Sequence, residues 1–440
     1  TKFFCDLEFD PVDFADPANY MRKMAEMGIK ITVWQLPYLP EGSTLFDELK
    51  AVDGFVKNAR GDIYSVDVCF VPGFKGVVGI LDFTNPEAVS IYQKYLRRLL
   101  KLGVKAIKTD FGEMAPSDGV YHNGISHRMQ NLYPLLYNEA VSEVTREVTG
   151  SGVVWARSAW AGGQRYPIHW GGDNSPNIFN MVPQLDGGLS LGLSGFQFWS
   201  QDIGGFLGET NDELLIRWMQ FGLFLSHSRI HGNGKREIFD FAPETLRICR
   251  DYIRLRYRLL PYLYGSARQC VEQSLPMARA LVVDFQDDPN TWNLSDEYLL
   301  GNGLLVAPIF DGSTRRKVYL PRGVWTDWWT GENLAGGRWI EVEAGLDTLP
   351  LYVREGALIP MGPVMNCVDE FPVDRIELLV APFADEGCTE FNLPANDNWL
   401  PVRYTAEDGG HTHTLELPAD AEEEFDVRSL AEVDLRIVRT

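Results

Sequence analysis

The sequence predicts an α/β fold: a (β/α)8 barrel that is incomplete at its N-terminal side, followed by two small β-sandwich domains. Short β-rich runs alternate with amphipathic helical stretches from about Gly28 to His231, which is typical of parallel strands joined by crossover helices. Polar residues gather where these runs end. From about Pro276 onward, strand-rich segments separated by turn residues replace the helical pattern.

Six runs in the first part of the chain are predicted as barrel strands. They are GIKITVW (28–34), VKAIKTD (104–110), GVVWARS (152–158), IHWGGD (168–173), GFQFWS (195–200) and a short run before His227. Because such a barrel needs eight strands, we expect the first two to lie outside this sequence. GILDF (79–83) is interpreted as a loop excursion. An open doubly wound sheet is the alternative architecture, although no glycine fingerprint supports it.

Helical stretches separate the predicted strands. EAVSIYQKYLRRLLKLG and LYNEAVSEVTREVTG carry apolar residues at helical spacing and end at glycine. A long helix is predicted through ETLRICRDYIRLRYRLLPYLYGSARQCVEQ, with an interruption near Pro261. The change of texture after it predicts three domains: the barrel at 1–275, a proximal β-sandwich at 276–362 and a distal β domain at 363–440.

The composition narrows the class of partner. The chain has 440 residues, of which 45% are hydrophobic, and its formal net charge is −21. This negative charge argues against nucleic acid or an anionic membrane surface as the main partner, and a neutral ligand is expected. Six cysteines form no CxxC pair, so neither a zinc site nor a disulfide framework is predicted. With no signal-peptide pattern and no apolar run of about 18 residues, a cytoplasmic location is expected.

Candidate functional residues lie at the carboxyl ends of the predicted strands, which open onto one face of a barrel. They are Trp34, Lys108, Asp110, Arg157, Asp173, Asp202 and His227. Two carboxylates, Asp110 and Asp173, without a metal-ligand cluster suit cleavage of an acetal. One carboxylate attacks or stabilises the oxocarbenium-like centre, and the other protonates the leaving oxygen. Neither task requires a cofactor. Aromatic residues near the strand ends would stack on a sugar ring: Trp34, Phe111, Trp160, Trp170, Phe198 and Trp199.

Each of these residues has a purely structural alternative. Asp110 can be explained as the ion-pair partner of Lys108, Asp173 as a turn residue, and His227 as a group that caps its neighbours. Trp34, Trp170 and Trp199 can equally be core residues of the barrel. His227 and His231 are four residues apart, but the Glu of an HExxH motif is absent, so a zinc site is not predicted.

Four long motifs, in order, resemble the retaining α-glycosidases of glycoside hydrolase family 31. They are KTDFGE (108–113), RSAWAGGQRYPIHWGGDN (157–174), GGLSLGLSGFQFWSQDIGGF (187–206) and SHSRIHG (226–232). The resemblance continues into PMARAL, LGNGLLVAPIF and LPLYVREGALIP. It implies a (β/α)8 barrel followed by two β domains, and an N-terminal β domain that this sequence does not contain.

The resemblance also implies residue roles. Asp110 matches the nucleophile and Asp173 the general acid/base, whereas Glu113 would support the loop after the nucleophile. The residues implied to line the subsite for the non-reducing-end sugar are Trp34, Lys108, Arg157, Asp202 and His227. With the aromatic residues Phe111, Trp170 and Trp199, they form the predicted substrate-binding set.

The motifs look closest to the bacterial α-xylosidase branch of this family, so an exo-acting α-xylosidase is expected. An α-glucosidase and a transglycosylase of the same family are the alternatives, and an inactive sugar-binding fragment is the non-enzyme alternative. The partner would be a small oligosaccharide or glycoside, and self-association is plausible. One residue and one segment depart from that branch. Gln201 stands where His is common, and YSVDVCFVPG (64–73) stands where aromatic residues are expected.

Overall fold

The computed structural model describes residues 5–66, 76–395 and 398–440. The chain forms two compact units, Thr1–Trp170 and Gly171–Thr440. The helices and strands of the first unit are α1 (Pro17–Glu26), β1 (Thr32–Gln35), β2 (Tyr38–Pro40), α2 (Thr44–Ala51), β3 (Val78–Ile80), α3 (Pro86–Lys101), β4 (Ala106–Thr109), α4 (Met129–Thr149), β5 (Val154–Ala156) and β6 (His169–Trp170).

A parallel sheet in the order β1, β4, β5 and β6 forms the centre of the first unit, and these strands correspond to four of the predicted runs. In its register, Trp34 lies opposite Lys108, and Lys108 lies opposite Trp155. Asp110 follows the last residue of β4. The sheet therefore presents the KTDFGE motif at its carboxyl edge, directly beside the end of β1.

The segment GILDF contains β3, which pairs antiparallel with β2 rather than with the parallel sheet. As expected, the segment is not a strand of the parallel sheet, but its first residues form a strand rather than a loop. Most of the YSVDVCFVPG segment, residues 67–73, lies outside the residues that the structure describes.

The two predicted crossover helices end close to the predicted glycines, but α4 begins at Met129, seven residues before the predicted stretch. Asn85 caps α3, since its side chain accepts hydrogen bonds from the backbone N–H groups of Glu87 and Ala88, and Pro86 occupies the first turn. α4 ends at Gly150, whose φ of +80° is the left-handed conformation that glycine favours. The buried face of α3 packs into the core of this unit through Ala88, Tyr92, Tyr95, Leu96, Leu99 and Leu100.

The second unit begins with helical segments: α5 (Ile178–Leu193), β7 (Trp199–Ser200), β8 (Asp202–Ile203), α6 (Asp212–Gly222), β9 (Arg229–Ile230), α7 (Pro243–Arg258) and α8 (Leu260–Gln273). The predicted long helix is interrupted as expected: Leu259 separates the end of α7 from the start of α8, and Pro261 lies in the first turn of α8. Among the helices of the described ranges, none combines the length and apolar character needed to cross a bilayer.

The strand predicted just before His227 is wrong. Residues 223–227 form turns and bends, and β9 starts only at Arg229, where it pairs parallel with β8. The backbone carbonyls of this stretch find a different partner. The guanidinium of Arg256 donates to the carbonyl oxygens of Leu223 at 2.6 Å, Leu225 at 2.9 Å and Ser226 at 3.0 Å. The Arg256 guanidinium thus supplies these carbonyl oxygens with the hydrogen-bond donors that a neighbouring strand would supply in a sheet.

β-strands make up the rest of the second unit, as predicted: β10 (Ala278–Arg279), β11 (Tyr298–Leu300), β12 (Leu304–Val306), β13 (Arg315–Leu320), β14 (Val324–Asp327), β15 (Asn333–Ala335), β16 (Arg338–Glu343), β17 (Leu351–Arg354), β18 (Leu358–Met361), β19 (Arg375–Val380), β20 (Gly387–Ala395), β21 (Asn398–Glu407), β22 (Thr412–Leu417), β23 (Glu424–Ser429) and β24 (Leu435–Arg439).

These strands form several sheets. One has the order β10-β11-β12-β17-β14-β15, β13 pairs with β16, and two further sheets have the orders β18-β19-β23 and β20-β21-β22-β24. Because β18 pairs with β19, strands on both sides of the predicted boundary at 362/363 share one sheet. The three predicted domain ranges stay a prediction.

Candidate active site

Asp110 is a buried carboxylate at the end of β4, with a side chain only 6% exposed. Its Oδ1 accepts from the Phe111 backbone N–H at 2.8 Å and lies 3.1 Å from a guanidinium nitrogen of Arg157. Its Oδ2 accepts from the Trp34 indole N–H and lies 3.3 Å from Lys108 Nζ. Two cations and two neutral donors therefore compensate this buried charge, which is otherwise costly.

The loop after Asp110 depends on an unusual backbone. Phe111 has a φ of +57° and Gly112 a φ of +103°. A Cβ at Gly112 would lie 2.6 Å from Ser158 Oγ, so a glycine is required there. Ser158 Oγ donates to the Phe111 carbonyl oxygen at 2.5 Å, and Tyr38 OH accepts from the Gly112 N–H at 3.2 Å. These contacts hold the loop that directs the carboxylate.

Arg157 connects the two carboxylates of the KTDFGE motif. One guanidinium nitrogen contacts Asp110, whereas Nε donates to Glu113 Oε1 at 2.9 Å and the other terminal nitrogen lies 2.6 Å from the same oxygen. The guanidinium also lies 3.7 Å from the centre of the Phe111 ring, in a cation–π contact. Arg157 thus links Glu113 to Asp110, and the supporting role of Glu113 stays a prediction.

Lys108 is held between a carboxylate and an aromatic ring. Its Nζ lies 4.2 Å from the centre of the Trp170 ring, in addition to its contact with Asp110. Trp170 is 4% exposed and ends β6, two strands away from β4 in the sheet. The structure therefore brings five of the other predicted site residues together around Asp110, directly or through Lys108: Trp34, Lys108, Phe111, Arg157 and Trp170.

A buried polar network beneath Asp110 was not predicted. Tyr137 OH lies 3.3 Å from the Asp110 carbonyl oxygen and accepts from Gln35 Nε2 at 2.7 Å, and Tyr92 OH donates to Gln35 Oε1. Burial raises the pKa of the Tyr92 and Tyr137 hydroxyls well above the ordinary value, so both stay neutral donors. At their helical positions these tyrosines resemble ordinary core residues, and only Gln35, a polar residue ending a strand, offered a signal.

Asp173 lies in the second unit and is exposed to solvent. Its loop is tied to the loop after β8, because the Asn174 carbonyl oxygen accepts from the backbone N–H groups of Phe206 at 2.6 Å and Leu207 at 2.9 Å. Gly171 allows a close approach of Gln184, since a Cβ there would lie 1.9 Å from Gln184 Oε1. An exposed, backbone-anchored carboxylate can exchange its proton with water.

Asp202 and His227 lie near the short β8–β9 pair. Asp202 is 1% exposed, and its Oδ1 accepts from Arg229 Nε at 2.9 Å and from a terminal guanidinium nitrogen of the same residue. His227 Nδ1 lies 3.0 Å from Ser226 Oγ. Arg229, within SHSRIHG, is not among the predicted site residues, because only the β8–β9 pairing places it opposite Asp202.

Trp199 is a core residue. Its indole N–H donates to the Ala278 carbonyl oxygen at 3.3 Å, its ring lies so close to Gly188 that a Cβ there would be 2.2 Å away, and it belongs to the main hydrophobic cluster of the second unit. This packing favours the structural alternative over the predicted substrate contact. Gln201 is also buried, and its side-chain oxygen accepts from the Trp218 indole N–H.

Within residues 5–66, 76–395 and 398–440, no group of three His, Cys, Asp or Glu side chains is placed to hold a metal ion.

The chain matches family models, curated proteins and solved structures. The family model described as "Glycosyl hydrolases family 31 TIM-barrel domain" matches residues 1–266, and that of the "Glycosyl hydrolase family 31 C-terminal domain" matches residues 274–359. An α-xylosidase of Emericella nidulans is 37% identical over 86% of this chain and 49% of its own length. An α-xylosidase of Lactiplantibacillus pentosus is 38% identical over 81% of this chain and 48% of its own length.

A solved structure, the family 31 dextranase of Flavobacterium johnsoniae complexed with glucose, superimposes with a TM-score of 0.87 at 28% identity, over 98% of this chain and 58% of that one. The chain spans about half the length of the curated relatives it matches. The predicted fold class, a (β/α)8 barrel followed by β domains, is confirmed. The chain belongs to glycoside hydrolase family 31.

Proposed function

We propose that the protein is a retaining, exo-acting α-glycosidase that removes α-linked sugars from the non-reducing end, with Asp110 as nucleophile and Asp173 as general acid/base. The observation that carries the proposal is the setting of Asp110, a carboxylate held by Lys108, Arg157, Trp34 and a backbone N–H at the carboxyl end of a parallel strand. Such a group is oriented, charged and shielded from bulk water, as a nucleophile must be.

The reaction would proceed by double displacement. A carboxylate oxygen of Asp110 attacks the anomeric carbon while Asp173 gives its proton to the departing oxygen, which yields a covalent glycosyl ester and a free alcohol. Asp173 then takes a proton from water, whose oxygen attacks the anomeric carbon and releases Asp110. Two inversions leave the product in the α configuration. The exposure of Asp173 suits a group that must be reprotonated in every cycle.

An α-xyloside is the favoured substrate. Both curated relatives described above are named α-xylosidases, and the KTDFGE and HWGGD motifs look closest to the bacterial α-xylosidase branch. α-Glucoside hydrolysis is the second candidate within the same family. We further propose that the protein acts in the cytoplasm on a neutral glycoside and that copies self-associate, which cell fractionation and sedimentation of the purified protein would test.

Initial rates on p-nitrophenyl α-xyloside and p-nitrophenyl α-glucoside test the substrate. A higher kcat/KM on the xyloside supports the α-xylosidase proposal, and the reverse order replaces it with the α-glucosidase. Turnover of neither substrate by the folded protein would instead favour a sugar-binding fragment. A proton NMR time course tests the mechanism: the α-anomer must appear first, and a β-anomer would indicate inversion.

The role of Asp173 is tested by leaving-group dependence. Because an acid assists poor leaving groups most, Asp173→Ala should slow hydrolysis of an alkyl α-xyloside far more than that of α-xylosyl fluoride. Equal losses on both substrates would contradict the acid role. The separation of the Asp110 and Asp173 carboxyl groups in a crystal structure should be about 5 to 5.5 Å, as retention requires.

A further inference from the structure

The turn between β14 and β15 carries two adjacent tryptophans, Trp328 and Trp329, and separates two surface hollows of the second unit. One hollow has a volume of about 580 Å³ and is walled mainly by α7, and the other has a volume of about 290 Å³ and is walled by strand residues. Arg258, Trp328 and Trp329 line both hollows. We call the two hollows together the Trp328–Trp329 groove. The volume of the larger hollow lies in the range of small-ligand sites, about 300 to 1,000 Å³.

The turn that carries the tryptophans is held rigidly. Asp327 Oδ1 accepts from the backbone N–H groups of Trp329 at 2.9 Å and Thr330 at 2.8 Å, and the Asp327 carbonyl oxygen accepts from Gly331 at 2.9 Å. The Trp328 backbone N–H donates to Leu351 of the neighbouring strand at 2.9 Å. The groove therefore exists before any ligand arrives, which lowers the entropic cost of binding.

Trp329 presents hydrocarbon rather than a polar group. Its indole N–H is already used, since it donates to the Leu349 carbonyl oxygen at 2.6 Å, and its ring makes an edge contact with Tyr252 at 6.1 Å. Nevertheless, 44% of the residue is exposed. A fixed aromatic ring with this exposure is a platform for a ligand that has an apolar face.

The charges along the groove cancel. Its lining contains four arginines, Arg247, Arg254, Arg258 and Arg428, and four carboxylates, Asp251, Asp327, Asp347 and Glu377. Several pair with one another: Arg247 lies 3.1 Å from Asp251, and Arg258 bonds Glu377. In a chain whose net charge is −21, this balance favours a neutral ligand, and the paired groups supply many hydrogen-bond donors and acceptors.

We propose that the Trp328–Trp329 groove is a second, non-catalytic binding site for a neutral oligosaccharide. A pyranose ring has an apolar face that can stack on Trp329 and a rim of hydroxyl groups that the arginines and carboxylates can bind. Two hollows on either side of one aromatic turn suit a chain of sugars rather than a single ring. The groove contains neither Asp110 nor Asp173, the two proposed catalytic residues, so it holds a chain and does not cleave it.

Native affinity gel electrophoresis tests this site on the purified protein without any need for turnover. Gels containing xyloglucan, dextran or soluble starch should retard the wild-type protein in at least one case, relative to a gel without polysaccharide. Trp329→Ala should weaken the binding by on the order of tenfold, the usual effect of removing an aromatic anchor. Its kcat/KM on p-nitrophenyl α-xyloside should equal that of the wild-type protein.

Trp339 offers a matched control, since it is 46% exposed on β16 and lies outside both hollows. Trp339→Ala should bind as the wild-type protein does. Trp329→Phe keeps an aromatic ring without the indole N–H and should retain most of the binding, which separates stacking from a folding defect. Absence of retardation in all three gels overturns the proposal. Equal binding by Trp329→Ala and wild-type protein overturns it, as does an equal loss in both alanine variants.

Discussion

Replacing Asp110 by alanine removes the carboxylate but leaves the groups that surround it. Lys108 Nζ, the Arg157 guanidinium, the Trp34 indole N–H and the Phe111 backbone N–H all lose their common acceptor. Without a nucleophile the covalent route is lost, and kcat should fall by about 10⁴-fold or more, equivalent to about 5.5 kcal/mol of transition-state stabilisation. Retention of more than a few per cent of activity would contradict the nucleophile role.

The vacated space should bind a small anion. Each hydrogen bond to a charged group contributes about 1.5 to 3 kcal/mol, so formate or azide that regains two of them gains about 3 to 6 kcal/mol. Association itself costs at least about 4 kcal/mol, which leaves weak binding, with a Kd between about 0.03 M and the molar range. Added sodium azide at such concentrations should therefore raise the residual rate of Asp110→Ala on p-nitrophenyl α-xyloside by about tenfold.

The anomeric configuration of the rescue product tests where the azide binds. Azide bound in place of the carboxylate attacks the face opposite the leaving group, so the stable product should be the β-glycosyl azide, identified by NMR. Asp118 supplies the control: it is an exposed carboxylate in the same loop that accepts from Tyr64 OH at 3.1 Å. Asp118→Ala should keep normal activity and show no response to azide. An α-azide, or equal stimulation of both variants, would refute the reasoning.

Three further perturbations follow from the first unit. In Arg157→Lys the side chain cannot contact both carboxylates of the motif, so kcat should fall about 10- to 100-fold. Glu113→Gln should lower kcat by less. Steady-state kinetics that showed equal losses of kcat in both variants would contradict this order. Gly112 has a φ of +103°, and an added Cβ would lie 2.6 Å from a neighbouring atom, so Gly112→Ala should lower the free energy of unfolding by about 2 to 4 kcal/mol. Gly124 has a φ of +73° and no neighbour within 4 Å, so Gly124→Ala should cost only about 1 kcal/mol. Guanidinium titrations of both variants measure the difference. Burial lowers the pKa of His169 from 6.5 to about 4, so between these pH values the unfolded chain binds a proton that the folded chain does not. The free energy of unfolding should therefore fall by about 3 kcal/mol as pH drops from 6.5 to 4. His169→Gln should flatten this part of the pH–stability profile, and an unchanged profile would exclude His169 as its cause.

Glycine and proline in the sequence correctly predicted helix ends, because a helix end depends on residues that are neighbours in the chain. Gly150 at the end of α4 and Pro261 in the first turn of α8 both lie where the sequence pattern placed a helix end. These are capping and backbone effects within one turn of the chain. They are therefore readable without the tertiary structure.

The same signals could not distinguish residues of one type. Trp34 and Trp199 both occur near the end of a predicted strand, yet Trp34 donates to Asp110 and Trp199 packs in the core. The strand expected before His227 failed for a related reason, because Arg256, about 30 residues away, binds its carbonyl groups. The role of each tryptophan and the conformation before His227 both depend on contacts with residues distant in the sequence.

By itself, the sequence determined the alternation of strands and helices, the change to β domains and the motifs that identify the family. Only the tertiary structure decided which side chains meet Asp110, among them Trp34, 76 positions away along the chain. It also placed Trp328 and Trp329 on a groove whose charges cancel. The physical reason is that periodicity and capping are set by neighbouring residues, whereas charge compensation and burial at a site depend on how distant segments pack.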